Sequence, residues 1–234
     1  MDQYQYKRAD PPGRTAFPVA APGYPFICAS AFVTIVFALL GFTVIAVAGI
    51  FVTAGICLFF RDPDRVVPVV ENALVAPADG RVVFAGNVDE NPFFEGPCTK
   101  IGIFMSVFNV HVNRMPCFGR IAEIRYYPGK FFPAGKEKAS FQNESNAIIL
   151  DVGDKTSIAV VQVAGLIARR IIDWINVDQS VAAGQRFGMI CFGSRVDIYL
   201  PQECEVVVVP GDRVTAGFTI IGYLSESHES PVSH

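Results

Sequence analysis

Polar and apolar residues are most clearly separated into different stretches near the start of the chain. Residues 1–24 are polar and contain Pro and Gly, and we expect them to form a polar leader without a folded element. No charged residue then occurs from residue 25 to residue 60. As one helix, the 35 residues 26–60 would be about 52 Å long. The hydrocarbon core of a bilayer is only about 30 Å thick.

The length of this apolar segment, residues 25–60, favours a membrane-inserted helical hairpin. Two full spans of about 20 residues each need slightly more chain than is present. Two short spans that turn near Gly41 therefore fit better than one long span, which remains the alternative. The segment is too long for a single buried core helix, and it is longer than the apolar part of a signal peptide.

The charges that flank the apolar segment predict its orientation. Lys7, Arg8 and Arg14 precede the segment, and Arg61 and Arg65 follow it. A hairpin returns the chain to the side that it left, so all five cations would share the cytoplasmic side, where such residues are enriched. The sequence thus predicts a protein of the cell (inner) membrane whose following domain lies in the cytoplasm.

Residues 61–224 have a different pattern, in which short β-branched and aromatic runs alternate with Gly and Pro. Examples are residues 81–85, 101–105, 157–163 and 205–209. This spacing is typical of a mainly β domain with few short helices. Residues 164–175 fit either a short helix or a strand, and residues 225–234 are expected to be a disordered tail.

Two glycine-containing segments refine the predicted fold. Residues 181–188 and 210–217 resemble the turns of biotinyl and lipoyl-type modules. They predict a barrel-sandwich core in which Gly193 and Ser194 lie between the two turns. A membrane-tethered carrier or adaptor of that kind is one alternative function. It would need an exposed lysine at a hairpin tip, and the turns at residues 184–188 and 193 contain none.

Composition narrows the function classes. Hydrophobic residues make up 51% of the chain and charged residues 18%, which favours membrane contact. The formal net charge is −3, so no basic nucleic-acid footprint is expected. The six cysteines form no C-x-x-C pair and are interpreted as reduced thiols. Apart from His111, the histidines lie in the last seven residues, so no metal site is predicted.

The Gly193–Ser194 pair offers unusual chemistry. A serine hydroxyl can attack the preceding carbonyl when that carbonyl belongs to glycine, which has no side chain in the way. The resulting N→O acyl shift gives an ester, and β-elimination then releases the upstream chain. The dehydroalanine that remains hydrolyses to a pyruvoyl group. Gly-Ser is too common a dipeptide to identify this chemistry by itself.

Six segments in chain order together resemble the phosphatidylserine decarboxylase family, in its short form found in many bacteria and archaea. They are residues 59–65 (FFRDPDR), 76–80 (APADG), 104–116 (FMSVFNVHVNRMP), 143–146 (NESN), 162–165 (QVAG) and 188–201 (GMICFGSRVDIYLP). The resemblance implies self-cleavage between Gly193 and Ser194. Large (1–193) and small (194–234) chains would stay associated.

The resemblance also implies an activity, the pyruvoyl-dependent decarboxylation of phosphatidylserine to phosphatidylethanolamine and CO₂. The cofactor would be the pyruvoyl group derived from Ser194, with neither a metal nor pyridoxal phosphate. Its carbonyl would form a Schiff base with the substrate amine and accept the electrons of the broken bond. The substrate would be a membrane phospholipid. Homo-oligomerisation is left open.

Three residues are the candidate catalytic groups: Ser194, His111 and Asp79. His111 lies in the histidine segment of the family and would protonate the carbanion after CO₂ leaves. Asp79 would orient or charge a base during self-cleavage, although Asp-Gly is also a common turn. Longer family members carry H-x-x-H here, and the second position in this chain is Arg114. Arg195 stands where many relatives have threonine.

Two further functions are compatible with the same residues. A pyruvoyl enzyme that acts on a soluble amino acid would use the same cleavage chemistry, but it would not need the apolar segment. A related protein that never cleaves itself would keep the fold without the activity. Four arginines, Arg169, Arg170, Arg186 and Arg195, are candidates for binding lipid phosphate, and each could instead be ordinary surface charge.

Overall fold

The computed structural model describes residues 5–8, 19–89, 91–130, 132, 142–153, 156–165, 170–191 and 194–225. Two helices, α1 (Tyr24–Leu39) and α2 (Thr43–Phe59), are followed by a mainly β region. The predicted tail from residue 226 onward lies outside the described residues.

The helices α1 and α2 form an antiparallel hairpin. Gly41, with φ of 80°, lies in the short turn between them, a conformation that glycine adopts without strain. The hydroxyl groups of Ser30 and Thr53 are 2.8 Å apart across the pair. The stretch Ala21–Leu39 has 19 residues and a mean hydropathy of 1.7, so it is long and apolar enough to cross a membrane. Helix α2 has 17 residues.

Both ends of the hairpin meet at one place. The Ala20 amide donates to the Phe60 carbonyl over 2.8 Å, and Val19 forms a β-bridge with Arg61. Gly23 lies against the Phe60 side chain, where an added Cβ would come within 2.6 Å. Because the entering and leaving segments are bonded to each other, the hairpin is attached to the rest of the chain at a single junction.

The described residues form sixteen strands. They are β1 (Gln5–Arg8), β2 (Val66–Val69), β3 (Ala73–Val75), β4 (Gly80–Val88), β5 (Cys98–Met105), β6 (Val112–Arg114), β7 (Gly119–Tyr127), β8 (Ser145–Gly153), β9 (Thr156–Val163), β10 (Ile171–Asp173), β11 (Ser180–Val181), β12 (Arg186–Ile190), β13 (Ser194–Pro201), β14 (Glu205–Val206), β15 (Arg213–Val214) and β16 (Ile220–Tyr223).

Half of these strands belong to one antiparallel sheet of eight, in the order β11-β7-β8-β9-β13-β5-β4-β15, which curls into a half-barrel. Two three-stranded sheets, β10-β12-β6 and β14-β16-β3, and the pair β1-β2 complete the described β structure. The main core lies on one face of the large sheet. A second cluster, which includes Val161, Val163 and Tyr199, covers the other face.

This architecture confirms the mainly β prediction but does not confirm a lipoyl-like barrel-sandwich. The strands β11 and β15, next to the two predicted turns, lie at opposite edges of the large sheet. The curl of the sheet nevertheless brings the turns together, since a Cβ added to Gly217 would lie 3.5 Å from the Gly184 Cα. Within residues 164–175, Ile171–Asp173 form a strand.

Part of the predicted polar leader is structured. Residues Gln5–Arg8 form β1, which pairs antiparallel with β2. The ring of Tyr6 also stacks on that of Phe218 at a centroid distance of 5.8 Å. The sequence offers little signal for this strand because all four of its residues are exposed. Its stability comes from pairing with the domain.

The hairpin packing generates a testable prediction. A Cβ added to Gly49 would collide with the Thr34 hydroxyl on the facing helix. We expect Gly49→Leu to separate the helices and to lower the free energy of unfolding by about 1–3 kcal/mol. Thermal melts followed by circular dichroism in one detergent would measure the loss. The matched control is Gly55→Leu, because Gly55 has nothing within 4 Å of an added Cβ. Equal melting temperatures for the two variants would contradict the packing.

Candidate active site

Ser194 is the first residue of β13, where the strand lies between β5 and β9. It is opposite Met105 in the sheet and is fully buried. Its hydroxyl has no hydrogen-bond partner among the described residues. A buried polar atom without a partner is uncommon in folded proteins and marks a site that needs a functional explanation. Gly193, the other residue of the predicted cleavage site, lies outside the described residues.

His111 is the second buried group of this kind. Its Nδ1 is 2.9 Å from the Asn109 carbonyl oxygen, so Nδ1 carries the proton and donates to that oxygen. The other nitrogen, Nε2, is buried without a partner among the described residues. The Phe59 ring covers the imidazole at a centroid distance of 4.3 Å.

The surroundings of His111 keep its imidazole neutral. The His111 pKa is lowered from 6.5 to about 4, chiefly by burial and also by the positive charge of Arg61, while the bond to the Asn109 carbonyl acts in the opposite direction. At neutral pH the Nε2 lone pair is therefore available to accept a proton. The neutral imidazole is the form that a general base requires.

His111 and Ser194 lie in the same corner of the domain. The Ile190 amide donates to the His111 carbonyl over 3.4 Å. Ile190 precedes Ser194 by four residues, a span of at most about 14 Å. On the other side, the 106–110 loop joins His111 to Met105, the residue opposite Ser194. Ser194 and His111 are thus linked in two ways, through the chain between Ile190 and Ser194 and through the 106–110 loop.

The 106–110 loop is held by its own hydrogen bonds. The Asn109 side-chain oxygen accepts bonds from the Ser106 amide at 2.9 Å and from the Ser106 hydroxyl at 2.7 Å. These bonds close a tight turn between β5 and His111. The turn therefore determines how the imidazole is presented to this corner.

Asp79 lies at the same end of the sheet, next to β4. Since Arg81 and Arg195 both lie opposite Phe104, Asp79 and Ser194 are separated by two strand spacings, about 10 Å. The Asp79 carboxylate pairs with Arg65 at 2.9 Å and accepts the Ala216 amide at 2.8 Å. Both oxygens of Asp79 thus have partners other than His111.

Arg114, which stands at the second histidine position, makes contacts that link separate segments of the chain. Its guanidinium donates to the Gly184 carbonyl at 2.8 Å and to the Pro63 carbonyl at 3.0 Å. It also lies 3.6 Å from the Asp62 carboxylate. These bonds connect β6 with the segment that leaves the hairpin. Arg114 thus holds the chain in place, which accounts for an arginine where H-x-x-H would have its second imidazole.

The candidate phosphate-binding arginines have different environments. Arg186 pairs with Asp62 at 2.7 Å and with Asp64 at 2.9 Å. Arg195 is buried and pairs with Asp197. Arg170 is exposed, and Arg169 lies outside the described residues. The contacts of Arg186 and Arg195 are therefore with carboxylates of the chain itself.

Comparison with known proteins decides the family. A family model described as "Phosphatidylserine decarboxylase" matches residues 52–222, which include all three candidate catalytic residues. The chain belongs to the phosphatidylserine decarboxylase family. This membership confirms the resemblance predicted from the six segments, and it places the chain among carboxy-lyases.

Several relatives are similar over most of their length. A protein of Geotalea uraniireducens is 48% identical over 207 residues, which cover 88% of this chain and 97% of the relative. A protein of Syntrophotalea carbinolica is 46% identical with the same coverage, and one of Desulfotalea psychrophila is 45% identical. Each is named phosphatidylserine decarboxylase proenzyme. The name favours the decarboxylase over the carrier or adaptor.

A buried polar network beside the site was not assigned from the sequence. The Gln162 side-chain amide donates to the Asn113 oxygen at 2.9 Å, and that of Asn146 donates to Asp173 at 3.1 Å. The Asn113 amide also lies 3.6 Å from the sulfur of Met105, opposite Ser194. The signal was available, because Gln162, Asn113 and Asn146 lie in three of the six segments that resemble the phosphatidylserine decarboxylase family.

The residues at this corner fit the pyruvoyl group that the family implies. Ser194 would supply the reacting hydroxyl, and the Nε2 of His111, which has no partner among the described residues, would be available to accept its proton. Within the described part of the chain, no three His, Cys, Asp or Glu side chains are grouped to hold a metal ion.

The His111 environment predicts a pH dependence of stability. The pKa is about 4 in the folded chain, compared with 6.5 ordinarily, so the unfolded chain binds more protons between these values. Stability should therefore rise with pH from 4 to 6.5, with a contribution of up to about 3 kcal/mol from this group. Chemical denaturation of the full-length Ser194→Ala chain at pH 4.5 and pH 7 would measure it.

In the same Ser194→Ala background, the His111→Gln variant should show a smaller difference in stability between the two pH values than the chain that keeps His111. The matched control is His228→Gln, which should keep the full difference. A His111→Gln variant with the full difference would show that the imidazole is not held neutral by burial.

Proposed function

We propose that this protein is a pyruvoyl-dependent phosphatidylserine decarboxylase that cleaves itself between Gly193 and Ser194. It would convert phosphatidylserine to phosphatidylethanolamine and CO₂. The observation that supports this most directly is the pair of buried, unpartnered atoms, Ser194 Oγ and His111 Nε2, in one corner of a chain that belongs to this family.

Self-cleavage begins at the Ser194 hydroxyl. Nε2 of neutral His111 accepts the hydroxyl proton, and the oxygen attacks the Gly193 carbonyl carbon. The amide nitrogen takes a proton as its bond to that carbon breaks, which leaves an ester. Loss of the Ser194 α-proton then expels the Gly193 carboxylate. Hydrolysis of the dehydroalanine releases ammonia and leaves the pyruvoyl group.

Asp79 acts in this scheme as a fixed carboxylate at the same end of the sheet. Its bonds to Arg65 and to the Ala216 amide hold its orientation. We assign it the task of favouring positive charge near the base while the proton is transferred.

Decarboxylation uses the same corner. The pyruvoyl group supplies the carbonyl that accepts the electrons of the breaking C–COO⁻ bond. Nε2 of His111 accepts a proton from the substrate ammonium group and later returns a proton to the carbon that lost CO₂. Burial of His111 excludes water that would otherwise compete for these transfers.

The two chains stay together after cleavage because strands of the small chain are integrated into sheets of the large chain. The strand β13 pairs with β5 and β9, β15 pairs with β4, and β16 pairs with β3. The contact between the turns at Gly184 and Gly217 supports the finer proposal that the core closes as a lipoyl-like barrel-sandwich.

The hairpin of α1 and α2 anchors the enzyme in the membrane that contains its substrate. Exposed apolar side chains such as Leu39, Val44 and Phe51 cover both helices. The hairpin ends meet at one junction, close to Arg61 and Arg65, so the positive-inside tendency places the catalytic domain on the cytoplasmic side of the cell (inner) membrane.

Self-processing can be tested by mass. We expect the purified wild type to show two chains, 1–193 and 194–234, on a denaturing gel and by mass spectrometry. The smaller chain should be blocked to Edman degradation, because a pyruvoyl group has no amine. The Ser194→Ala variant should remain at full length, since it has no hydroxyl to attack. The control Ser180→Ala should process normally. A single full-length wild-type chain would refute self-cleavage.

The role of His111 can be tested separately. We expect His111→Ala to lower CO₂ release from phosphatidylserine by at least about 100-fold per cleaved chain, because a positioned acid–base group is lost. Added imidazole should restore part of the rate. The measurement is ¹⁴CO₂ release, normalised to the cleaved fraction on a gel. Undiminished release per cleaved chain would remove His111 from the reaction.

A further inference from the structure

A cavity of about 590 Å³ lies between the end of α2 and the 106–110 loop. Its lining is largely apolar and includes Val52 and Ile56 on the helix and Val107 and Phe108 on the loop. Arg61 is also part of the lining. This volume is in the range of small-molecule sites, which combine apolar walls with a few placed polar groups.

The cavity is directly connected to the candidate active site. Phe59 lines the cavity, and its ring contacts the imidazole of His111 at 4.3 Å between centroids. The Arg61 guanidinium donates to the carbonyls of Leu58 and Phe108, each at 2.6 Å. These bonds fix a positive charge at the rim of the cavity. The same charge acts on the imidazole of His111.

The apolar side chains at the rim of the cavity are unusually exposed to solvent. Phe108 is 83% exposed, Leu58 is 62% exposed and Val52 is 58% exposed. These surfaces continue along the exposed apolar side of α2. An exposed apolar patch of this kind marks a surface for contact with an apolar partner. A hydrocarbon chain from the bilayer has the matching chemistry.

We propose that this cavity binds one acyl chain of the phospholipid substrate and that Arg61 pairs with the lipid phosphodiester. The proposal rests on the proposed function and deepens it. The cavity wall contacts the His111 imidazole through Phe59, and the Arg61 charge at the rim acts on the same imidazole. In phosphatidylserine the phosphate lies between the acyl chains and the serine headgroup. An acyl chain in the cavity and a phosphate at Arg61 would therefore leave the serine headgroup near His111.

A variant that fills the cavity tests the acyl-chain site. Gly55 lines the cavity, and a Cβ added there has nothing within 4 Å. Phenylalanine is also a better helix former than glycine, so Gly55→Phe should fold and self-cleave. We expect the KM for long-chain phosphatidylserine to rise about tenfold with kcat unchanged. The KM for glycerophosphoserine, which has no acyl chains, should not change.

The matched control is Val44→Phe, which adds a ring at an exposed position of α2 outside the cavity. It should leave the KM for both substrates unchanged. If Gly55→Phe leaves the KM for the long-chain substrate unchanged, or raises the KM for both substrates equally, the acyl-chain assignment is wrong. If the wild type releases no CO₂ from either substrate, the proposed function fails instead.

The phosphate contact predicts a different pattern. Arg61→Met should raise the KM for both substrates about tenfold, because both contain the phosphodiester. Arg61→Lys should recover most of the loss, since it keeps the charge. An unchanged KM for glycerophosphoserine in Arg61→Met would overturn this part of the proposal.

A direct measurement on the wild type does not depend on folded variants. Phosphatidylserine with a diazirine on one acyl chain would be photolysed with the full-length enzyme in mixed micelles, and the labelled peptides would be identified by mass spectrometry. Label on residues 52–61 or 107–108 supports the cavity. Label confined to α1 and the remainder of α2 would show that the chain stays in the surrounding lipid and would overturn the proposal.

Discussion

The structure depends on holding the start of β13 in place from both of its edges. Ser194 begins a strand that is paired along its length with β5 and, from Arg195 onward, with β9. Its side chains enter the main core on one face and the second cluster on the other. Residue 194 is therefore positioned by the large sheet rather than by the peptide bond that precedes it. A reacting group at this position would keep its location when that bond breaks.

A network of charges connects this sheet to the membrane hairpin. Arg114 and Arg186 are directly opposite each other on β6 and β12, an arrangement of like charges that is unfavourable by itself. Asp62 approaches both guanidinium groups and offsets the repulsion. Because Asp62 lies just after α2, the pairing sets the position of the hairpin end relative to β6. His111 immediately precedes β6, so the same strand holds both the end of the α1–α2 hairpin and the candidate base.

The sequence predicted the two-helix segment and the mainly β domain, and it singled out Ser194 and His111, which prove to carry buried polar atoms without a partner among the described residues. It could do so because the apolar run has no charge and because the six segments keep a recognisable order. It did not predict the burial of Arg195 and Asp197. Their alternation with apolar residues in β13 is typical of a strand with one solvent-facing side. In the structure, Lys100 and the second cluster cover that side. Burial by residues that are distant in the sequence leaves no signal in the local pattern of polar and apolar residues.

Lys100 and Asp197 form an ion pair at 3.1 Å, and both side chains are almost completely buried. If the chain is cut before residue 194, the cation belongs to one polypeptide and the carboxylate to the other. Separation of the two polypeptides would break this buried ion pair, which is strongly unfavourable. The mature enzyme would thus behave as a heterodimer that can be assembled only once, as a single precursor, and whose subunits have no independent existence.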